Sequence, residues 1–72
     1  MIYLSCQPAI DRYTWEVETY LENFLKMGVP PQQIHLVNGL DREWKEIPQN
    51  WRRLQQKYSS VNFWFYYDTR PL

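Results

Sequence analysis

Three short polar clusters in this 72-residue chain carry the residue types that ligand chemistry uses. Ser5-Cys6-Gln7-Pro8 follows one apolar run, Val37-Asn38-Gly39 closes a second, and Tyr67-Asp68-Thr69-Arg70 closes a third. If those runs are parallel strands, all three clusters lie on the carboxyl rim of one sheet, where open α/β sheets bind ligands. Hydroxyl, amide and carboxylate groups there suit a ribose, a base edge or a phosphate. Ser5, Gln7, Pro8, Asp68 and Arg70 are therefore the candidate nucleotide-binding residues. Against this, an acid and a base two positions apart in a loop, as Asp68 and Arg70 are, are more often simply solvated. The chain has two glycines, Gly28 and Gly39. It therefore lacks a Gly-rich phosphate loop, which argues against a plain nicotinamide dinucleotide site.

The remaining reactive types read more plainly. Cys6 has no histidine placed by sequence to activate it, and a small buried thiol is the ordinary reading. His35, the one histidine, sits between Ile34 and Leu36 as a strand residue. One Cys and one His do not make a zinc site, and no cofactor is expected. Trp44 packs back on the core if its loop is merely solvated. If exposed, Trp44, Trp64 and Tyr66 become anchors for a protein partner, because large aromatics dominate interface energetics. Aromatics beside Arg52 and Arg53 are the chemistry of single-strand stacking.

Charge argues against that last use. Eight Lys+Arg against eight Asp+Glu give a formal net charge of zero, with a pI of about 6.5. Domains that grip nucleic acid through charge show a pI above about 9, so nucleic acid is not an expected partner. No apolar run approaches the ~18 residues of a membrane span. The start Met1-Ile2-Tyr3-Leu4-Ser5 has no basic stretch of the secretory kind. With a single cysteine, this points to a cytoplasmic setting. The distinctive figure is 18% aromatic, from four Trp, six Tyr and three Phe.

The elements that position these groups follow from periodicity. Ile2 to Ser5 is a β-prone run stopped at Gln7-Pro8. From Asp11 the period changes: Tyr13, Val17, Tyr20, Leu21, Phe24 and Leu25 recur at steps of three and four, the stripe of an amphipathic helix. Asp11 is read as its N-cap and Gly28 as the residue just past its end. Val29-Pro30-Pro31 turns the chain. Gln33 to Val37 is a short strand ended by the turn pair Asn38-Gly39. Leu40 to Glu46, with five charges in seven positions, is not the return strand of a hairpin. Ile47, Trp51, Leu54 and Tyr58 mark a second helix over 48–58, with Pro48 in its first turn. Val61 to Tyr67 is the strongest strand signal, and its near-continuous aromatic content predicts cover on both faces.

The chain is thus one small α/β domain of β-α-β-α-β order, with a three-stranded, mainly parallel sheet and two helices, half of a Rossmann-like sheet. Order 3-2-1 places both helices on one face and leaves the other bare. Order 2-1-3 places one helix on each.

The opening strand and polar loop Ile2-Tyr3-Leu4-Ser5-Cys6-Gln7-Pro8, the helix with Tyr13-Thr14-Trp15, the run Gln33-Ile34-His35-Leu36-Val37, and the aromatic strand entering Tyr67-Asp68-Thr69-Arg70 resemble the start of A-type-fold nucleotide-sugar glycosyltransferases. The likeness is closest to glycosyltransferase-like proteins of phages and gut bacteria and spans nearly all 72 residues, through soft motifs. It implies that the rim near Ser5, Gln7, Pro8 and Asp68 helps hold the nucleoside of a sugar donor. The Asp-x-Asp that such enzymes use for a divalent ion is absent, and the chain stops just after the third strand, so no independent catalysis is expected.

The expectation is a non-catalytic binding or assembly protein built on that half-fold, with weak nucleotide or nucleotide-sugar binding in reserve. A small inhibitor or adaptor that grips a protein partner through the aromatic strand is the first alternative. A glycosyltransferase fragment is the second. In all of these an isolated monomer is poorly stable, because a chain this short buries barely enough apolar area to offset its ordering cost.

Overall fold

A computed structural model describes residues 1–68, with side chains through Tyr67. The order expected from periodicity is present: β1 (Ile2–Cys6), α1 (Thr14–Lys26), β2 (Ile34–Asp41), α2 (Gln49–Lys57) and β3 (Asn62–Asp68). All three strands are parallel, in the order β1-β2-β3. This is the 3-2-1 arrangement. Leu21 of α1 and Trp51 and Leu54 of α2 meet Ile34, Leu36 and Leu40 of β2 in one core, closed by Ala9 and Val61. Both helices therefore cover the same face of the sheet.

Asp11 does not cap the helix that follows it. Asp11–Tyr13 forms a single 3-10 turn leading into α1, and the Thr14 hydroxyl donates to the Asp11 carbonyl at 2.8 Å. The Asp11 carboxylate instead accepts the backbone N–H of Asn50 at 3.1 Å, in the first turn of α2. The reason lies in Pro48, which precedes α2 and offers no capping side chain. An exposed first-turn donor needs an acceptor, and the β1–α1 connection brings one. One residue on, the buried Trp51 ring donates its Nε1–H to the Ile10 carbonyl at 3.0 Å.

The end of α1 is as expected. Gly28 takes φ +89°, the Val29 N–H returns to the Phe24 carbonyl and the Gly28 N–H to the Leu25 carbonyl, each at 3.1 Å. This is a Schellman closure, with Phe24 and Val29 both packed on the core.

Asn38-Gly39 is not a turn. β2 continues through both to Asp41 and pairs with β3 from His35, opposite Asn62, to Asp41, opposite Asp68. Asn38 is buried on the helix-covered face, where its side-chain amide donates to the Leu36 carbonyl at 3.4 Å, so no turn is needed to satisfy it. Gly39 sits on the other face beneath two side chains, and a glycine at such a close approach reads falsely as turn chemistry. The carboxyl end of β2 is accordingly Asp41, beyond the end of β1.

β3 departs from expectation in its cover. Phe63 and Phe65 face the helices and are half-buried, but Trp64 and Tyr66 lie on the bare face and are exposed. Its aromatic content does not reflect burial on two sides.

Candidate functional site

The bare face is built by alternation along three parallel strands. Side chains two residues apart share a face, and the register places Tyr3, His35 and Asn62 in one row and Ser5, Val37 and Trp64 in the next. A third row joins Gly39 and Tyr66. These three rows hold no lysine, arginine or carboxylate, and the next, at the rim, sets Asp41 opposite Asp68.

Two devices fix the aromatic rings. Tyr3 stacks on His35 with centroids 5.0 Å apart and planes at 23°. His35 in turn stacks toward Trp64 at 6.3 Å and 13°. The indole Nε1–H of Trp64 donates to His35 Nδ1 at 3.1 Å, so Nδ1 is the bare nitrogen of that imidazole. At the carboxyl end, Tyr66 reaches across β2 and donates its hydroxyl to Gln7 Oε1 at 3.2 Å. It can do so because residue 39 has no Cβ: one built there would lie 3.0 Å from the Tyr66 hydroxyl and 2.9 Å from Gln7 Cγ. The polar atoms of Trp64 and Tyr66 are thus satisfied within the face, while the rings stay in solvent.

The rim residues singled out from sequence do not converge. Ser5 and Gln7 stand at the end of β1 and are exposed. Pro8 is half-buried, after a cis Gln7–Pro8 peptide, and its carbonyl accepts the Ile10 N–H at 3.0 Å. Asp68 ends β3 on the far side of β2, and Arg70 lies outside the described residues. Ser5 and Gln7 line a cleft of about 450 Å³ against α1, with Cys6, Tyr13, Glu16 and Tyr20. Burial there, and then the Glu16 charge, push the Cys6 thiol above its ordinary value, the opposite of what a nucleophile needs. A second cleft of about 600 Å³ opens at the ends of β2 and β3, where Lys45 and Arg52 stand beside Phe65 and Tyr67.

Trp44 packs against the core, whereas Trp64 and Tyr66 are exposed. Three contributors are not among the anchors that residue type alone singles out: Tyr3, His35 and Gly39. The period-two placement of Tyr3 and His35 in their strands was the signal for the first two. Gly39 carries none, because the pair Asn38-Gly39 has turn chemistry and ends the predicted strand before it. Among the described residues, no three His, Cys, Asp or Glu side chains are grouped to hold a metal ion, and no helix is long and apolar enough to cross a membrane.

The class these features define is a one-sided, three-stranded parallel α/β layer with an aromatic open face. No protein-family model, curated protein or solved structure matches the chain.

Proposed function

We propose that this chain is a non-catalytic binding or assembly module whose contact surface is the uncovered side of its sheet. The observation that carries the reading is the Tyr3–His35–Trp64 ladder beside Tyr66. Large rings are held in fixed orientation with their hydrogen-bonding atoms internally satisfied, yet Tyr3 is 66% and Trp64 55% exposed. Preorganised aromatics lose little entropy on docking and bury much area, which is what interface anchors do. Light scattering over a wide concentration range, paired with iodide quenching of the Trp64 fluorescence (assigned by difference from Trp64→Phe), tests it. Trp64 is expected to be quenched freely in the monomer and shielded as partners or copies add. A monomer whose Trp64 is already shielded at every concentration would overturn the reading.

A second reading is weak binding of a nucleotide or nucleotide-sugar, in line with the glycosyltransferase resemblance. What favours it is the cleft in which Lys45 and Arg52 stand beside Phe65 and Tyr67, cations for a phosphate next to rings for a base. Calorimetric titration with a uridine diphosphate sugar tests it. The expected heat disappears with Arg52→Ala, and no heat with the parent chain rejects it.

A further inference from the structure

The open face has two edges, and they are unequal. β1 is five residues long and β3 seven, and no further strand lies beyond either among the described residues. Natural sheets blunt a free edge with Lys, Pro, a bulge or shortness. β3 carries a single charge, Asp68, at its last position; from Asn62 to Tyr67 it reads Asn-Phe-Trp-Phe-Tyr-Tyr, without a charge, a proline or a glycine. Its exposed rings also lie on both faces. Trp64 at 55% and Tyr66 at 37% point to the bare side, and Tyr67 at 49% lies on the side of the helices. A partner laid on the bare face alone would leave Tyr67 wet. A strand added at the edge covers both sets.

We propose that the occupant of this edge is β3 of a second copy, paired antiparallel about a two-fold axis through Phe65. This rests on the assembly reading above, but moves the contact from the middle of the uncovered face to the strand edge that bounds it, and gives it a register. A two-fold that joins two edge strands stands perpendicular to the sheet, so paired residues must share a face, and the dimer closes on itself. Centred on Phe65, the middle residue of β3, the axis sets Phe65 against Phe65 of the other copy. Trp64 then meets Tyr66 twice on the bare face, and Phe63 meets Tyr67 twice on the helix face. Every facing pair from 63 to 67 is aromatic on aromatic, one of the pairings that stabilise adjacent strands. Moving the axis to residue 64 sets Asn62 against Tyr66, and moving it to residue 66 sets Trp64 against Asp68. The strand is palindromic in chemistry about its own centre. β1 is not: centred on Leu4, it would set Tyr3 against Ser5. The uncharged run also carries no like-charge penalty when it meets itself.

Cysteine scanning in a Cys6→Ala background tests the register. Across an antiparallel pair, directly opposed Cα atoms lie about 4.5–5.5 Å apart, within disulfide reach. Like-numbered residues 64 are then two positions out of register, about 7 Å apart along the strand, and like-numbered residues 63 or 67 four positions, about 13 Å, all beyond that reach. Under mild oxidation Phe65→Cys is expected to cross-link to itself about tenfold or more faster than Trp64→Cys. A mixture of Phe63→Cys and Tyr67→Cys chains is expected to cross-link where neither does alone, which keeps the test open if Phe65→Cys folds poorly by circular dichroism. Light scattering of the parent chain is expected to show twice the monomer mass. A monomer at all concentrations overturns the proposal and leaves binding to a different protein as the module's use. A dimer that cross-links fastest through Trp64→Cys, or at none of these positions, overturns it and leaves assembly through another surface.

Discussion

Tyr66 lies over Gly39 so closely that a methyl group on residue 39 would stand 3.0 Å from its hydroxyl. The glycine in the central strand and the ring on the edge strand form one unit, completed by Gln7. A branched side chain at 39 must displace both. Gly39→Val is expected to destabilise the fold by about 1–3 kcal/mol, the range for forcing bulk into packed space, as read by urea unfolding. Tyr66→Ala should recover part of that loss when combined with it. A Gly39→Val chain as stable as the parent would show that the ring is not seated there.

Trp51 is fully buried and hydrogen-bonded to the Ile10 carbonyl. Trp51→Phe keeps most of the apolar contact but leaves that carbonyl without its donor. The expected cost is about 1–3 kcal/mol, and Trp51→Ala should cost about 3–5 kcal/mol. Thermal unfolding by near-ultraviolet circular dichroism reads both.

The Asp11 cap on α2 predicts a graded series. Asp11→Ala removes the acceptor for the Asn50 N–H and should cost about 0.5–2 kcal/mol, and Asp11→Asn, which keeps an acceptor oxygen, less. Because Asp11 sits 39 positions from Asn50, the loss should appear first as faster amide exchange in α2, not in α1. Faster exchange in α1 alone would contradict the assignment.

The helices are joined by a charged cluster with opposite behaviour at the two ends of the pH scale. Lys57 donates to Glu18 at 2.6 Å, and the Tyr58 hydroxyl shares its one hydrogen between the Glu18 and Glu22 carboxylates. Hydrogen bonds from Lys57 and then Tyr58 hold Glu18 below its ordinary value. The folded chain therefore releases that proton more readily than the unfolded one. This contribution is present above the ordinary carboxylate range and is lost as pH falls through it. Burial, followed by the Glu22 and Glu18 carboxylates, raises the Tyr58 phenol well above its ordinary value. Its contribution is present below about pH 10 and is lost as pH rises beyond. Glu18→Gln should flatten the acid limb of a stability–pH curve and Tyr58→Phe the alkaline limb. Parallel curves for parent and variants would rule the cluster out as their source.

The raised Cys6 thiol makes a chemical prediction of its own. Alkylation by iodoacetamide at neutral pH should run slower than for a free thiol, and Glu16→Gln should speed it by removing the second cause. A rate equal to that of an unfolded control would show that Cys6 is not held in the cleft.

Most of the architecture could be read from spacing alone. The stripe from Tyr13 to Leu25, the stop at Gly28 and the step from Trp51 to Leu54 are local signals, and local signals survive folding unchanged. What failed were pairs that sequence separates. Asn38-Gly39 has the chemistry of a turn until the strand that buries Asn38 and the ring that covers Gly39 are in place. Asp11 has the chemistry of a cap but serves a helix that starts nearly forty residues later. The rim residues Ser5, Gln7, Pro8 and Asp68 have the right types for a nucleotide, yet the longer β2 stands between the ends of β1 and β3. Trp64 and Tyr66 were recognisable as anchors by type. Their fixed orientation was not, because it depends on His35 from β2 and on Gln7, the residue just past β1.

The tether between Ile10-Asp11 and the start of α2 also bears on how the chain reaches this state. Nine residues are too few for a helix to persist alone in water. The two contacts that hold its first turns, Asp11 to Asn50 and Trp51 to Ile10, close loops of 39 and 41 residues. Such closures carry their entropy cost before any contact rewards it. α2 is thus expected to exchange its amides ahead of α1 and the sheet, an order that native-state hydrogen exchange reads. When it lifts, Trp51 leaves the core with it, so an indole designed to be buried joins those already facing solvent. The shortest helix is the latch on which the separation between the covered and uncovered sides of the sheet depends.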